Sequence, residues 1–184
     1  MPEKKLRIFL GDITHDTIFL VSDTIPINIG FIASYIKKTY GNKVDITLFK
    51  YPEDIINEIK SNPPDVIGLS NYSWNSNLSE FIASLAKKQN PNVVTLQGGT
   101  NFPHDEETQK TFLLERPATD VFTILEGEKS CTNIIGRILE SKKDRKKIFE
   151  KEIDGCVFIH PDSKNSDNPV FFKGPILTRI KDLD

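Results

Sequence analysis

Short apolar runs alternate with stretches of helical periodicity along residues 6–140, and this alternation restricts the possible fold more than any other feature of the chain. Between the runs, apolar residues recur every three or four positions, as they do on the buried face of a helix. The runs that predict strands are 6–10, 44–49, 66–69, 93–96 and 120–125. Strands that alternate with helices form a parallel sheet with right-handed crossovers. The sequence therefore predicts an α/β fold: a doubly wound five-stranded parallel sheet of Rossmann or flavodoxin-like type, with strand order 2-1-3-4-5.

The last quarter of the chain has a different pattern. Residues 141–151 are rich in charged side chains, which indicates a solvated helix end and a linker. Beyond them, residues 155–159 and 170–173 are apolar and flank a polar insert with two prolines, which is typical of a β-hairpin. We therefore predict a Rossmann-like domain over residues 1–142, and a charged linker with a β-hairpin extension over residues 143–184.

The composition excludes several classes of protein. Lys and Arg number 24 and Asp and Glu number 26, and this near balance argues against a dominant nucleic-acid surface. No apolar run approaches the roughly 20 residues of a membrane span, and the N-terminal run is too short for a signal peptide. The two cysteines, Cys131 and Cys156, lie far apart, as in a reduced cytosolic chain. We expect a cytoplasmic protein with neither nucleic acid nor a membrane as a partner.

The stretch of residues 65–75 ends a buried strand with an abrupt change of polarity. Ser70 and Asn71 follow the apolar run directly, and two large aromatics, Tyr72 and Trp74, come next. In open α/β sheets ligands bind at the carboxyl ends of the strands, so these side chains are candidates for a ligand wall. Ser-Asn is also ordinary turn chemistry, and the aromatics could instead pack on the next helix.

Three other loops reach the same edge of the predicted sheet. Residues 11–17 follow the first strand, and their length exceeds that of a usual connection between a strand and a helix. Gly98-Gly99 follows the fourth strand, either to admit a ligand against the backbone or to form a tight turn. Glu126-Gly127-Glu128 follows the fifth strand, either as a ligand rim or as acids favoured by a helix dipole. Together the four loops predict a binding crevice between strands 1 and 3.

No catalytic constellation is evident in the sequence. His15, His104 and His160 are scattered, and neither a Walker loop nor an H-E-x-x-H motif is present. A phosphoacceptor receiver domain would need an Asp after the third strand, where the chain has Ser70 and Asn71. A flavodoxin-like FMN module and a non-catalytic protein-interaction domain remain as alternatives to a cofactor-binding module of another kind.

Taken together, the loop motifs resemble the cobalamin-binding domain that precedes the catalytic barrel in many B12-dependent radical SAM enzymes. The motifs that carry the resemblance are Asp12-x-Thr14-His15, Pro26-x-x-x-Gly30-Phe31-Ile32-Ala33-x-Tyr35, Phe49-Lys50-Tyr51-Pro52, Gly68-x-Ser70-Asn71-Tyr72-x-Trp74-Asn75, Gly98-Gly99-x-Asn101-Phe102-Pro103 and Glu126-Gly127-Glu128. By this resemblance the corrin lies over the carboxyl ends of the strands and its nucleotide tail enters the sheet crevice. The cofactor-binding residues it implies are Thr14, His15, Ser70, Asn71, Tyr72, Trp74, Gly98, Gly99, Thr100, Asn101, Glu126, Gly127 and Glu128.

The resemblance also has a point of departure. Other cobalamin proteins carry D-x-H-x-x-G, whose histidine ligates cobalt. Here Thr14 stands at the place of that histidine, and His15 comes one position later. We therefore expect no metal ligand in this chain, with both the nucleotide base and histidine off the cobalt.

A B12-dependent radical SAM enzyme also needs SAM and a [4Fe-4S] cluster, which is held by three closely spaced cysteines. Cys131 and Cys156 cannot supply that set, because they are two thiols 25 positions apart. The resemblance therefore implies that this chain alone is not catalytic. Its end, Ile180-Lys181-Asp182-Leu183-Asp184, looks like the lead-in to a radical SAM barrel in a longer parent protein.

Overall fold

A computed structural model describes residues 5–14 and 25–181, which form a single seven-stranded sheet with helices on both faces. The strands are β1 (Leu6–Gly11), β2 (Val44–Phe49), β3 (Val66–Ser70), β4 (Val94–Gly98), β5 (Val121–Thr123), β6 (Cys156–Ile159) and β7 (Phe171–Lys173). The helices are α1 (Ile27–Tyr40), α2 (Pro52–Ser61), α3 (Ser76–Gln89), α4 (Glu106–Leu114), α5 (Gly127–Glu140) and α6 (Arg145–Ile148). None of the helices in the described ranges is long and apolar enough to cross a bilayer.

The predicted parallel sheet and its strand order are confirmed. Strands β1 to β5 are parallel and lie in the order β2-β1-β3-β4-β5. Strand β1 pairs with β2 on one side and with β3 on the other. The chain therefore adds strands to one side of β1 first and then to its other side, so the strand order reverses between β1 and β3. In this topology the connections from neighbouring strands leave to opposite faces, which opens a crevice at their carboxyl ends.

The predicted hairpin is present, but it extends the main sheet. Strand β6 pairs antiparallel with β5, and β7 pairs antiparallel with β6, so the sheet has seven strands. Sequence periodicity identifies a hairpin, but it does not say which edge strand the hairpin will pair with. Here β6 covers the open edge of β5, which would otherwise expose unpaired backbone groups.

Two apolar layers enclose the sheet. Helices α1, α5 and α6 cover one face, where Ile8 of β1 and Ile134 of α5 are fully buried in one cluster. Helices α2 and α3 cover the other face, where Phe9 of β1 packs with Ile82 of α3. Adjacent residues of β1 therefore point into different layers, as the two-residue period of a strand requires.

Residues 141–151, predicted to be a solvated helix end and a linker, contain a short helix that is anchored to the core. Asp144 accepts a hydrogen bond from the Lys146 amide at 3.1 Å and starts the short helix α6. Ile148 and Phe149 are fully buried in the same apolar cluster as α1 and α5. Because most residues of the segment are charged, its composition predicts a solvated segment. These two apolar residues nevertheless anchor it to the core.

Candidate functional site

The carboxyl ends of β1 and β3 are joined by a hydrogen-bond network around Ser70. The Ser70 hydroxyl donates to the Asp12 carboxylate at 2.6 Å and accepts from the Asn75 side-chain amide at 3.0 Å. The same Asn75 amide donates to the carbonyl of Ile13 at 3.1 Å. These contacts hold the two loops together at the crevice, so Ser70 lies where the sequence predicts it.

Asp12 and Asn75 are two members of this network that the predicted set of site residues does not contain. Both occur within the sequence motifs, at the polar ends of β1 and β3. Asn75 is buried, and its Oδ1 accepts a hydrogen bond from the Tyr72 amide at 2.8 Å. The change from apolar to polar residues at these strand ends was the available signal, but only the fold shows that the two side chains meet at Ser70.

Tyr72 and Trp74 form a stacked aromatic pair on the rim of the crevice. Their ring centroids are 4.7 Å apart and the rings are inclined by 11°. The Tyr72 hydroxyl accepts a hydrogen bond from Asn28 of α1 at 3.2 Å, whereas Trp74 is 63% exposed. The pair therefore spans from the β3 loop to the start of α1 and leaves much of the indole surface in contact with solvent.

Further apolar side chains are exposed at the same edge of the sheet. Ile27 and Phe31 lie one turn apart at the start of α1 and are 59% and 40% exposed. Leu125 follows β5 and is 69% exposed. Large apolar side chains that gather at a strand-end crevice are typical of a surface for a large, partly apolar ligand. We refer to Ile27, Phe31, Trp74 and Leu125 as the apolar rim.

Gly98, the last residue of β4, and Gly99, which follows it, are required by the protein's own packing. Gly99 has φ 141°, and a Cβ added there would collide with the backbone oxygen of Asn71. A Cβ at Gly98 would collide with the hydroxyl of Thr123 on β5. The groups that approach Gly98 and Gly99 in this structure are the β3 loop and β5, and the approach of a ligand to these glycines stays a prediction.

Asn71 and Asn101 also make contacts within the protein. Asn71 is fully buried and donates to Gln97 and, at 3.3 Å, to Ser76. Its side-chain oxygen accepts from the Asn101 amide at 3.0 Å. Asn71 therefore connects the β3 loop to β4 and to the loop after it. Thr100, which lies between the glycines and Asn101, is exposed.

The loop after β5 contacts two other parts of the chain. Glu126 forms an ion pair with Arg179 at 3.1 Å and accepts a hydrogen bond from the Ile180 amide at 3.0 Å. A Cβ at Gly127 would lie 2.5 Å from the side chain of Ile32, so Gly127 lets α5 approach α1. Glu128 is in the first turn of α5, where the helix dipole favours an acid.

Thr14 and His15 complete the predicted set. The Thr14 amide donates to the carbonyl of Lys50 at 3.1 Å, which places Thr14 beside the end of β2. His15 lies outside the described residues, so its predicted position off the cobalt stays a prediction. Within the described ranges, no group of three or more His, Cys, Asp or Glu residues could hold a metal ion.

The two cysteines are buried on the face of the sheet that α1 and α5 cover. Burial raises the pKa of the Cys131 thiol to about 12, and the nearby Glu128 charge adds to the effect. Burial also raises the pKa of Cys156 well above its ordinary value. These two thiols are fewer than the three or more cysteines that hold an iron–sulfur cluster, so Cys131 and Cys156 alone do not make up a cluster site.

Comparison with known proteins finds cobalamin-dependent enzymes that are similar to this chain. The chain is 33% identical over 81 residues to the cobalamin-dependent radical SAM methyltransferase TokK of Streptomyces tokunonensis, covering 44% of this chain and 12% of TokK. Its fold is similar to that of OxsB, a cobalamin-dependent S-adenosylmethionine radical enzyme, in apo form (TM-score 0.61, 17% identity). It is also similar to OxsB with aqua-cobalamin and S-adenosylmethionine bound (TM-score 0.55, 15% identity). Each comparison covers 96% of this chain and 23% of OxsB.

The chain thus spans 12% of the length of TokK, the curated relative named above. A model of the B12 binding domain family matches residues 17–135, which is more than half of the chain. The matched residues include the β3 loop, the two glycines at the end of β4 and the loop after β5. This chain therefore belongs to the B12-binding domain family and is homologous to the cobalamin-binding modules of cobalamin-dependent radical SAM enzymes.

Proposed function

We propose that the apolar rim and the Ser70 network together hold cobalamin, with the corrin over the carboxyl ends of the strands. The observation that carries the proposal is the position of the exposed Trp74, which stacks on Tyr72 in the loop that follows β3, at the carboxyl ends of β1 and β3. A corrin has broad apolar faces and a periphery of polar amides. The structure offers both kinds of partner at one edge: an apolar rim and a polar network.

The residues fit the cofactor in different roles. Trp74, Leu125 and Phe31 would exclude water from an apolar face of the corrin. Ser70 and Asn75 would orient polar groups of the nucleotide tail in the crevice. Cobalamin, when bound, supplies a cobalt centre that can carry an alkyl group; this chain would supply binding and orientation.

The role in a longer protein follows from the relatives. We propose that the parent protein contains a radical SAM domain with a [4Fe-4S] cluster and SAM, and that it meets this module across the corrin. The support is the homology to TokK, which is described as a methyltransferase and is far longer than this chain. The two cysteines of this chain are fewer than the three that hold such a cluster, which supports a cluster site elsewhere in the parent.

The first test measures retention of the cofactor. Hydroxocobalamin mixed with the protein and then desalted should leave a cobalamin absorption spectrum with the protein. Trp74→Ala should weaken binding roughly tenfold, because stacked aromatic contact and the loss of its buried area are together worth about 1–2 kcal/mol.

Phe81→Ala is the matched control. Phe81 is an aromatic residue of α3 that is 55% exposed, comparable with Trp74, but it lies away from the rim. Its removal should leave cobalamin affinity unchanged. Retention of FMN with loss of cobalamin on desalting would favour the flavodoxin-like alternative. Equal affinities for wild type and Trp74→Ala would remove the apolar rim from the site.

A further inference from the structure

The segment after β7 turns back and crosses the corner of the sheet where β5 ends. We call residues 177–180 the strap. Leu177 lies over Gly155, whose φ is 77° and where an added Cβ would stand 2.6 Å from the Leu177 side chain. The backbone before the strap is held by a hydrogen bond from the Gly155 amide to the Pro175 carbonyl at 2.8 Å. The strap therefore begins at a fixed point on the hairpin.

Beyond Leu177, the polar contacts of the strap converge on one side chain. Glu126 pairs with the Arg179 guanidinium through one carboxylate oxygen, at 3.1 Å, and accepts from the Ile180 amide through the other, at 3.0 Å. Arg179 is 82% exposed at its side chain, and Thr178 is also exposed. A segment with so few buried contacts opens locally at low free energy unless specific bonds hold it.

The residue before Glu126 is strained. Leu125 has φ 60°, a left-handed conformation that is unfavourable for a leucine, and its side chain is exposed. Such strain persists only where the surrounding contacts fix the backbone. Glu126 directly follows Leu125, and its bonds to the strap help to fix the Leu125 backbone in this conformation.

We propose that Glu126 acts as a latch that holds the strap against the β5 corner and thereby sets the direction in which the chain continues beyond Ile180. The latch keeps Ile180 beside Leu125 of the apolar rim, at the carboxyl end of β5. Glu126 is then a positioning residue, with the strap as its partner in place of the cofactor. The functional role of this strap position rests on the proposed function, because a radical SAM domain would have to meet the corrin at the carboxyl edge of the sheet. The bonds between Glu126 and the strap do not themselves require cobalamin.

The test is amide hydrogen exchange at Ile180 in the ligand-free full chain. Glu126→Ala removes both bonds and should speed exchange of the Ile180 amide about tenfold. Arg179→Ala removes only the ion pair, on an exposed side chain, and should speed exchange by about twofold. Glu128→Ala is the matched control, because the Glu128 carboxylate makes no hydrogen bond or ion pair with the strap within the described residues.

Two further measurements distinguish local release of the strap from a general loss of structure. The amide of Ile134 in the buried part of α5 should exchange at an unchanged rate in every variant. Trypsin should cut after Lys181 faster in Glu126→Ala than in Glu128→Ala, because the released strap is accessible. Unchanged Ile180 exchange in Glu126→Ala would overturn the proposal. Failure to retain hydroxocobalamin would overturn the proposed function and leave the latch standing.

Discussion

At the scale of single residues, Gly99 shows how tightly the site loops are built. Its φ of 141° and the backbone oxygen of Asn71 both oppose a side chain. Gly30 in α1 is the opposite case, because a Cβ added there would meet no atom within 4 Å. The same substitution should therefore have opposite effects at the two glycines.

We expect Gly99→Ala to lower the free energy of unfolding by more than about 1 kcal/mol, since the backbone must leave a conformation that alanine resists. Gly30→Ala should raise it by about 0.5–1 kcal/mol, because alanine is the better residue inside a helix. Urea unfolding followed by circular dichroism measures both. If Gly99→Ala leaves the free energy of unfolding unchanged, the β3 and β4 loops can move apart without loss of stability.

At the scale of elements, the β6–β7 hairpin is part of the core. Phe158 of β6 is fully buried, with its ring centroid 5.4 Å from that of Phe149 and 5.1 Å from that of Phe172. Strand β6 also pairs along β5. The predicted domain boundary after residue 142 stays a prediction, but a chain cut there would lose this aromatic cluster and expose the edge of β5.

Truncation after Lys142 should therefore give a chain that is poorly soluble or lacks a cooperative unfolding transition. The physical reason is the loss of a buried aromatic cluster, in which a single Phe→Ala change costs about 3–5 kcal/mol, together with an unpaired sheet edge. Phe158→Ala in the full chain should show only the loss of stability from the aromatic cluster, because the edge of β5 stays paired. If the truncated chain unfolds cooperatively at the wild-type temperature, residues 1–142 are an independent domain.

At the scale of the whole molecule, Asp120 connects elements that are distant in sequence. Its carboxylate binds Lys87 of α3 at 2.7 Å, Arg145 of α6 at 2.9 Å and the Thr95 amide of β4 at 3.0 Å. Burial alone would raise the pKa of Asp120, but the charges of Lys87 and Arg145 and their hydrogen bonds hold it below its ordinary value. The buried carboxylate therefore stays ionised and joins both helical layers at the amino-terminal edge of the sheet.

Asp120→Asn should lower the free energy of unfolding by about 3 kcal/mol near neutral pH, because it leaves Lys87 and Arg145 without their counter-charge. Above the ordinary Asp pKa of about 4, both folded and unfolded wild type are ionised and the full contribution is present. As the pH falls through the lowered folded pKa that contribution is lost, so the difference between wild type and variant should narrow in acid.

The ion pair of Glu115 and Arg116, 3.7 Å apart, provides the control, because the Glu115 carboxylate that the variant changes is 68% exposed. Glu115→Gln should change the free energy of unfolding by less than about 0.5 kcal/mol at neutral pH. Chemical denaturation at neutral and acidic pH measures both variants. A difference for Asp120→Asn that stays constant with pH would contradict the lowered pKa.

Local pattern in the sequence determined the order of strands and helices, the doubly wound class and the edge at which the candidate site lies. Periodicity and turn residues are short-range signals, so a strand such as β2 (Val44–Phe49) could be predicted with its observed bounds. The position of Ser70 at the end of β3 follows from the same pattern and from the rule that ligands bind beyond the carboxyl ends of strands.

Only the tertiary structure decided which partner each polar side chain has. Ser70 meets Asp12, which lies 58 positions away in sequence, and Glu126 meets Arg179 and Ile180 across the sheet corner. The hairpin became part of the sheet for the same reason: the free edge of β5 is a property of the assembled sheet, and no stretch of sequence carries it. Residue types therefore indicated the chemistry of the rim, whereas long-range packing determined which of those residues face the crevice and which hold the protein together.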